Sequence, residues 1–491
     1  MRKIVVISLL IVNVCLGQEE LGIIHSNYSP FNTVSINPAN GVLSKQYLDI
    51  NLVGLHAFAN NSLVYLDRSD LALKGFVDGT KDEVSPLYNL NQKNNSAYGM
   101  ANVQGPGAVL SVGDHSFGLK LNSKAFIDAR KVPAQAGEYL LNNQIATAGT
   151  YTHENLKAGY LSYAEIQAHY STNLIKRDVH LLSAGINLGY LIGIGGASFK
   201  INEGTYTVTG PDTGELNSLK GEYMYTQPAW KSGKGFSSSL GAVYTRMESP
   251  IDDYQNNSPK SGCDCIDYKW RVGASLIDLG WVNFKENAQY RNFDETTGGA
   301  GDAAFEEFDP SSWDAEIANR TTASNQSVWS QSKMYLPGAI SLQGDYKFTS
   351  RLAIGGSYTH GFSKGKYRFG VQRSKLLAIT PRFETKRLEF ALPISLYEWR
   401  RPQLGAMLRI NNNLIIGSDK LGSFFGRKEV YGADLYVNIK LGLNRNPKCS
   451  EKEPNYKEQK YKANGKSKGT SGRKSSRKKG GRKHKYDCPS F

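Results

Sequence analysis

The residues that could do chemistry here are eight histidines, five cysteines and several concentrations of charge. The histidines (His25, His56, His115, His153, His169, His180, His360 and His484) are scattered, and no two stand at zinc-ligand spacing. One is placed differently. His169 shares a polar stripe with Glu165 and Gln167, while Ile166, Ala168 and Tyr170 form the apolar stripe between them. Asn187 occupies the matching polar stripe of the next segment. A histidine among neutral amides and one carboxylate suits hydrogen bonding, and no base, nucleophile and orienting acid stand together as an enzyme would need. No glycine run has the strand-to-helix setting of a phosphate loop, and no cofactor is expected.

Cys263 and Cys265 flank Asp264, while Cys449 and Cys488 bracket the last forty residues. A soft metal at Cys-Asp-Cys would lack two further ligands, so disulfides are the favoured reading, with three pairings open. The stretch 281–332 holds Asp294, Glu295, Asp302, Glu306, Glu307, Asp309 and Asp314. Its spacing fits no regular calcium loop, and it reads as a solvated acidic loop. Cys15 belongs to the leader. Arg2 and Lys3, the apolar run from Ile4 to Val14, and Gly17 before Gln18 form a secretory signal over residues 1–17. A lipoprotein signal acylated at Cys15 would need a smaller residue than Val14 before it. Export places the remaining cysteines in an oxidising compartment.

These residues must be positioned by strands. Ala164–Tyr170 and Leu182–Ile192 alternate apolar and polar residues with a period of two, in segments of about 15 residues where a globular strand has about 5–6. Mean hydropathy is −0.43 and 40% of residues are hydrophobic. After the leader no run of about 18 apolar residues follows, which excludes a helical membrane protein. A membrane barrel is not excluded, because only every second strand residue meets lipid. The 28 tyrosines suit its interfacial girdles. Strands are predicted to begin near Tyr47, Tyr98, Ser116, Lys157, Val179, Gly235, Asp267, Met334, Arg351, Tyr367, Arg387, Pro402, Asn413 and Tyr431.

Counted from inside outward, the long connections Asn61–Ala97, Lys131–Glu154, Gly196–Lys234 and Lys285–Lys333 fall on one side. The short ones at Gly113–His115, Asn173–Lys176, Thr349–Ser350 and Asn411–Asn413 fall on the other. Short connections near His360 and Arg400 and a long one at Ser249–Ile266 break the rule. The reading is an all-β chain: a single antiparallel transmembrane barrel of about 14 strands over residues 46–443. Residues 18–45 are a periplasmic lead-in or lumenal plug, and 444–491 a disordered basic periplasmic tail.

The formal charge is +15. Residues 444–491 hold 16 Lys or Arg against 4 Asp or Glu, a net of +12. Arg2 and Lys3 add two more, so the body is near neutral. Arg473, Lys474, Arg477, Lys478, Lys479, Arg482, Lys483 and Lys485 are the expected anion-binding residues of the tail. Its partners would be lipid phosphates, peptidoglycan or an acidic protein face. Three scattered tyrosines make no stacking platform, which argues against nucleic acid.

Six motifs in order carry a family resemblance. They are Gly105–Val112 with Asp114–Gly118, Ala184–Leu191, Arg271–Gly280, Leu377–Glu384, Ile416–Asp419 and Gly432–Val437. In these the chain resembles a Bacteroidota outer-membrane barrel family that is a domain of unknown function. That family is distantly similar to FadL-like fatty-acid transporters and to the shuttle barrel of the type-nine secretion system. Asn37-Pro38-Ala39 resembles the lead-in of those transporters. The resemblance implies an outer-membrane location with both termini in the periplasm. The leading function is a non-enzymatic transport channel for a small or apolar solute, with Glu165, Gln167, His169 and Asn187 lining the lumen. The alternative is a plugged, secretion-associated scaffold whose tail binds periplasmic partners. A peptidoglycan-binding domain, carried by some relatives, is replaced here by the basic tail. An open lumen would favour the channel and a filled one the scaffold.

Overall fold

The structure is a computed structural model that describes residues 19–67, 86–90, 94–142, 145, 147–210, 213–252, 254–258, 266–295, 328–362, 369–422 and 429–443. Strand-forming residues run through nearly all of it, and among the described residues they make fourteen staves. These are β1 (Leu48–Asn61), β2 (Asn95–Gln104 and Gly107–Val112), β3 (His115–Val132), β4 (Gly149–Arg177) and β5 (His180–Gly210). Then come β6 (Thr213–Thr226 and Gly233–Met247), β7 (Tyr268–Glu295), β8 (Val328–Tyr335 and Ala339–Lys347), β9 (Leu352–Gly361) and β10 (Leu376–Glu384). The last are β11 (Leu388–Ala391 and Ile394–Tyr397), β12 (Pro402–Leu404 and Ala406–Ile410), β13 (Leu414–Ser418) and β14 (Asp434–Leu443).

Each stave pairs antiparallel with its sequence neighbours, and β14 returns to β1, with Leu48 opposite Leu443 and Phe58 opposite Asp434. Closure removes the edges of the barrel proper, whereas Gly149–Glu154 at the top of β4 pairs, among the described residues, with β5 alone. The period of two does the rest. Phe117, Leu119, Leu121, Ile166, Leu188, Leu240, Val272, Leu342 and Ile379 are exposed on the outer face. Ser116, Lys120, Asn122, Glu165, Ser183, Arg271 and Asp345 are buried on the inner one. Apolar outside and polar inside is the inverse of a soluble protein and the pattern of a lipid-facing wall. Aromatic pairs mark both rims, with Tyr346 and Phe348 rings 5.1 Å apart at the end with short turns and Tyr358 and Trp399 rings 6.1 Å apart at the other.

Three expectations about the wall need correction. β4 and β5 are 29 and 31 residues long, about twice the expected length. Gly196–Lys234 is largely paired strand, since Gly196–Gly210 runs antiparallel to Thr213–Thr226. The β4, β5, β6 and β7 strands thus rise past the length of about 9–11 residues that spans a membrane. There the sheet no longer has a lipid side, so apolar alternation fades and sequence periodicity cannot follow it. Finally, the tenth stave begins at Leu376 rather than near Tyr367, which itself lies outside the described residues. Phe369–Gly370 runs parallel to the upper part of β8, and Arg373 is drawn inward before β10 starts.

Candidate functional site

Residues 19–46 fold inside the barrel. The segment holds only a four-residue helix, Pro30–Thr33, and a 3-10 turn, Pro38–Asn40. Turn bonds such as Ile23 N to Glu20 O at 2.9 Å and Val34 N to Pro30 O at 3.1 Å pair part of its backbone, and the wall supplies partners to many of the remaining groups. Asp419 accepts from Leu21 N at 2.9 Å, Glu384 from Asn27 N at 2.7 Å and Asp49 from Phe31 N at 3.1 Å. Donors reach the carbonyls: Arg271 to His25 O at 2.6 Å, Lys120 to Phe31 O at 2.8 Å, Asn187 to Val34 O at 2.8 Å and Ser275 to Ile36 O at 2.6 Å.

Side chains add a charged seam. Arg373 joins Glu19 of the plug to Asp278 of β7. Asp278 faces inward because a bulge opposite Ser238/Leu240, with φ of 50° at Asp278, turns it from the outer side. Glu20 is held by Gln104 Nε2 at 2.9 Å and lies 3.8 Å from His56, which also meets Asp434 at 3.3 Å. Asp345 binds Arg382 through two contacts of 2.7 and 2.8 Å and Arg271 at 3.0 Å, and accepts from Tyr268 OH. At the short-turn end Asp267 receives Lys45 at 2.9 Å and Lys347 at 2.7 Å. Burial raises the Asp267 carboxyl, but these two ammonium groups outweigh it and bring it down to about 2. His25, 3% exposed, is pushed down to about 3 by burial, so it sits neutral in the plug although Asp345 pulls the other way.

Glycines on the wall let the plug approach. The Asn37–Ala39 turn lies on Gly185, Gly241 and Gly273, one each from β5, β6 and β7. Asn37 Nδ2 reaches Ala242 O at 3.2 Å, Ala274 O at 3.4 Å and Gln343 Oε1 at 2.9 Å, while its Oδ1 caps Ala39 N at 3.0 Å. Among the described residues, two of the cavities between plug and wall measure about 50 and 60 Å³, room for a few waters each.

The four residues read as lumen lining are all buried on the inner face. Glu165 takes Lys124 at 2.9 Å and Ser237 Oγ at 2.6 Å, and Gln167 donates to Glu165 at 3.2 Å. Asn187 spends its amide hydrogens on Val34 O, so its Oδ1 must accept from His169 Nδ1 at 2.8 Å. His169 Nε2 then accepts from Ser171 Oγ at 3.3 Å. His169 is a positioning residue for the plug, with both ring nitrogens engaged. The sequence reading missed Arg271, Asp345, Arg382, Lys120, Lys440 and Arg409, yet their signal was present: each is a charge on the polar stripe of a strand. Among the described residues no group of three or more His, Cys, Asp or Glu gathers as a metal site. Cys263, Cys265, Cys449, Cys488 and the eight basic tail residues lie outside the described residues.

A family of unknown function, DUF5723, matches residues 38–419. The chain belongs to this family. None of the curated proteins matches the DUF5723 chain. Among solved structures it is similar to the toluene transporter TbuX of Ralstonia pickettii, with 8% identity, 88% of this chain and 99% of that one covered, and a TM-score of 0.39. The toluene transporter TodX of Pseudomonas putida gives 9%, 87%, 95% and 0.37, and a FadL homologue of Pseudomonas aeruginosa 10%, 85%, 93% and 0.21. Likenesses this distant assign no cargo.

Proposed function

We propose that this protein is a non-enzymatic outer-membrane channel for a small or apolar solute, closed by its own N-terminal plug, with both termini in the periplasm. The observation that carries the reading is the chemistry of the seam. Water can replace every ion pair and hydrogen bond between plug and wall, so on release the cost falls on the apolar part of the plug: Leu21, Ile24 and Ile36 in the main apolar cluster, Ile23 against Met407 and Ile415, and Phe31 and Val34 on Val109. The polar part of the seam adds many bonds and little net hold, because desolvating charges offsets much of what their pairing contributes. The filled lumen also favours the scaffold reading, in which the barrel never opens and residues 444–491 tether it to periplasmic anions.

A reporter separates the two. Val34, a plug residue packed against Val109 of the wall, is fully buried while the plug is docked. Val34→Cys, in a chain whose native cysteines are serine, reacts with maleimide only when the plug releases. In liposomes containing this chain and an added Arg271→Gln substitution, labelling and small-solute swelling are expected to rise together. Labelling that rises in liposomes that stay sealed would refute the channel. Removing residues 444–491 is expected to abolish sedimentation with peptidoglycan or anionic vesicles and leave swelling unchanged.

A further inference from the structure

The plug is continuous with β1, which starts at Leu48, so it can leave the lumen only by pivoting about residues 42–47. Whatever holds that hinge decides whether the pivot occurs. The loop between β6 and β7 passes directly beneath it. Two backbone bonds fix this loop to the neighbouring turns, Ile251 N to Asp178 O at 2.8 Å and Gly113 N to Asn256 O at 2.6 Å; Glu248 N to Asp267 O at 2.9 Å closes its base, and Met247 N to Val179 O at 2.8 Å holds the end of β6 beside it. Lys176 Nζ adds a bond to Tyr254 O at 2.8 Å. From this anchored frame two adjacent amides reach the hinge. Asn256 Nδ2 donates to Val42 O at 3.1 Å and Ser44 O at 2.5 Å, and Asn257 Nδ2 to Ser44 O at 3.1 Å and Gln46 O at 3.3 Å. Asn257 has a left-handed backbone, φ 53°, a conformation asparagine adopts readily and one that turns its amide to the same strip of carbonyls.

The apolar contact is local. Leu43 packs on the cluster Leu181, Met247, Ile251 and Tyr268, beside Tyr254 and Ile266. The cavity of about 50 Å³ lies between this cluster and the hinge, so the loop and plug meet across a partly hydrated joint.

We infer that the loop is a latch: Asn256 and Asn257 lock the plug hinge by donating to the carbonyls of Val42, Ser44 and Gln46, and their release is the step that frees the plug. The latch rests on the gated-channel reading for its purpose and on its own geometry for its existence. An aspartate has the size of asparagine but cannot donate, and its charge repels a carbonyl. The full-length N256D/N257D chain, carrying the Val34→Cys reporter, is therefore expected to label at least about tenfold faster than the reporter alone, for four lost neutral hydrogen bonds. Unchanged labelling overturns the latch. Faster labelling with no gain in small-solute swelling upholds the latch and refutes the channel. If the double variant does not assemble, N257D alone is the test, with about threefold faster labelling expected and an unchanged rate overturning the latch.

Discussion

Gly185→Ala tests whether the plug is seated as described. A methyl at Gly185 would lie 2.5 Å from the carbonyl carbon of Pro38 and 2.7 Å from both Ala39 N and Pro38 O. These atoms are backbone, so no flexible side chain can swing aside, and either the Asn37–Ala39 turn lifts or β5 bows outward. Overpacking of this kind costs about 1–3 kcal/mol, which would shift the docked-to-released balance about 5- to 150-fold. Gly344 on β8 is the control, because a methyl there meets nothing within 4 Å. In the Val34→Cys background, maleimide labelling is expected to accelerate by that factor for Gly185→Ala and to stay at the parent rate for Gly344→Ala. Equal rates for the two variants, both assembled, would refute the seating of the turn on β5.

Acid should loosen the plug through His25. Its docked state is neutral down to about pH 3, whereas a released imidazole titrates at 6.5, so in that window only the released plug gains a proton and release gains with falling pH. At pH 5 the bias is about 25-fold over pH 7, and His25→Gln should flatten the labelling-versus-pH profile. Asp345→Ala strands two buried guanidiniums, Arg382 and Arg271, and is expected to destabilise the barrel by about 3–5 kcal/mol in a denaturant titration. A loss below about 1 kcal/mol would mean that the pair is solvated. Asp267→Asn removes the carboxylate shared by Lys45 and Lys347, and labelling of the plug should rise about tenfold, for about 1.5–3 kcal/mol of charge-assisted bonding. No change would show that this end of the hinge is held by the latch alone.

The wall was legible in the sequence because lipid imposes a simple rule on it. Ile166, Ala168 and Tyr170 against Glu165, Gln167 and His169 state which face is which, and turns such as Asn411–Asn412, with φ of 49° and 55°, mark where the chain reverses. The rule ends where lipid ends. Above the membrane the paired strands 196–210 and 213–226 meet water, and their residues no longer alternate by polarity. For residues 18–45 the sequence left a periplasmic lead-in and a lumenal plug both open, and the shape of the plug escaped for another reason. Its contacts join residues hundreds of positions apart, as Asn27 with Glu384 or Lys440 with Asn32, and its shape comes from wall side chains instead of its own periodicity. The polar stripe did hint at it. Gly185 and Gly189 stand on the polar stripe of β5, and Pro38 occupies the first of these places while the Glu165 side chain fills the space over the second.

The plug faces opposing demands, and the distribution of charge shows how they are met. Sealing needs many contacts, but each apolar contact would have to be given up to water on opening. Ion pairs differ, because most partners of the wall charges are other wall charges. Arg382 keeps Asp345 and Lys440 keeps Asp49 whether or not the plug is present. Lys120 is different: its described bonds run to Phe31 O and Ser35 Oγ of the plug, over the face of the Phe31 ring at 4.5 Å. Plug release would leave most of the lumen's pairs intact and expose this one ammonium to water, which solvates it well. Lys120→Met leaves the buried Phe31 carbonyl without its donor in the docked state, at a cost of about 1–3 kcal/mol. Labelling of Val34→Cys should therefore speed up about 5- to 150-fold, and labelling at the parent rate would show that Lys120 contributes nothing to the seal.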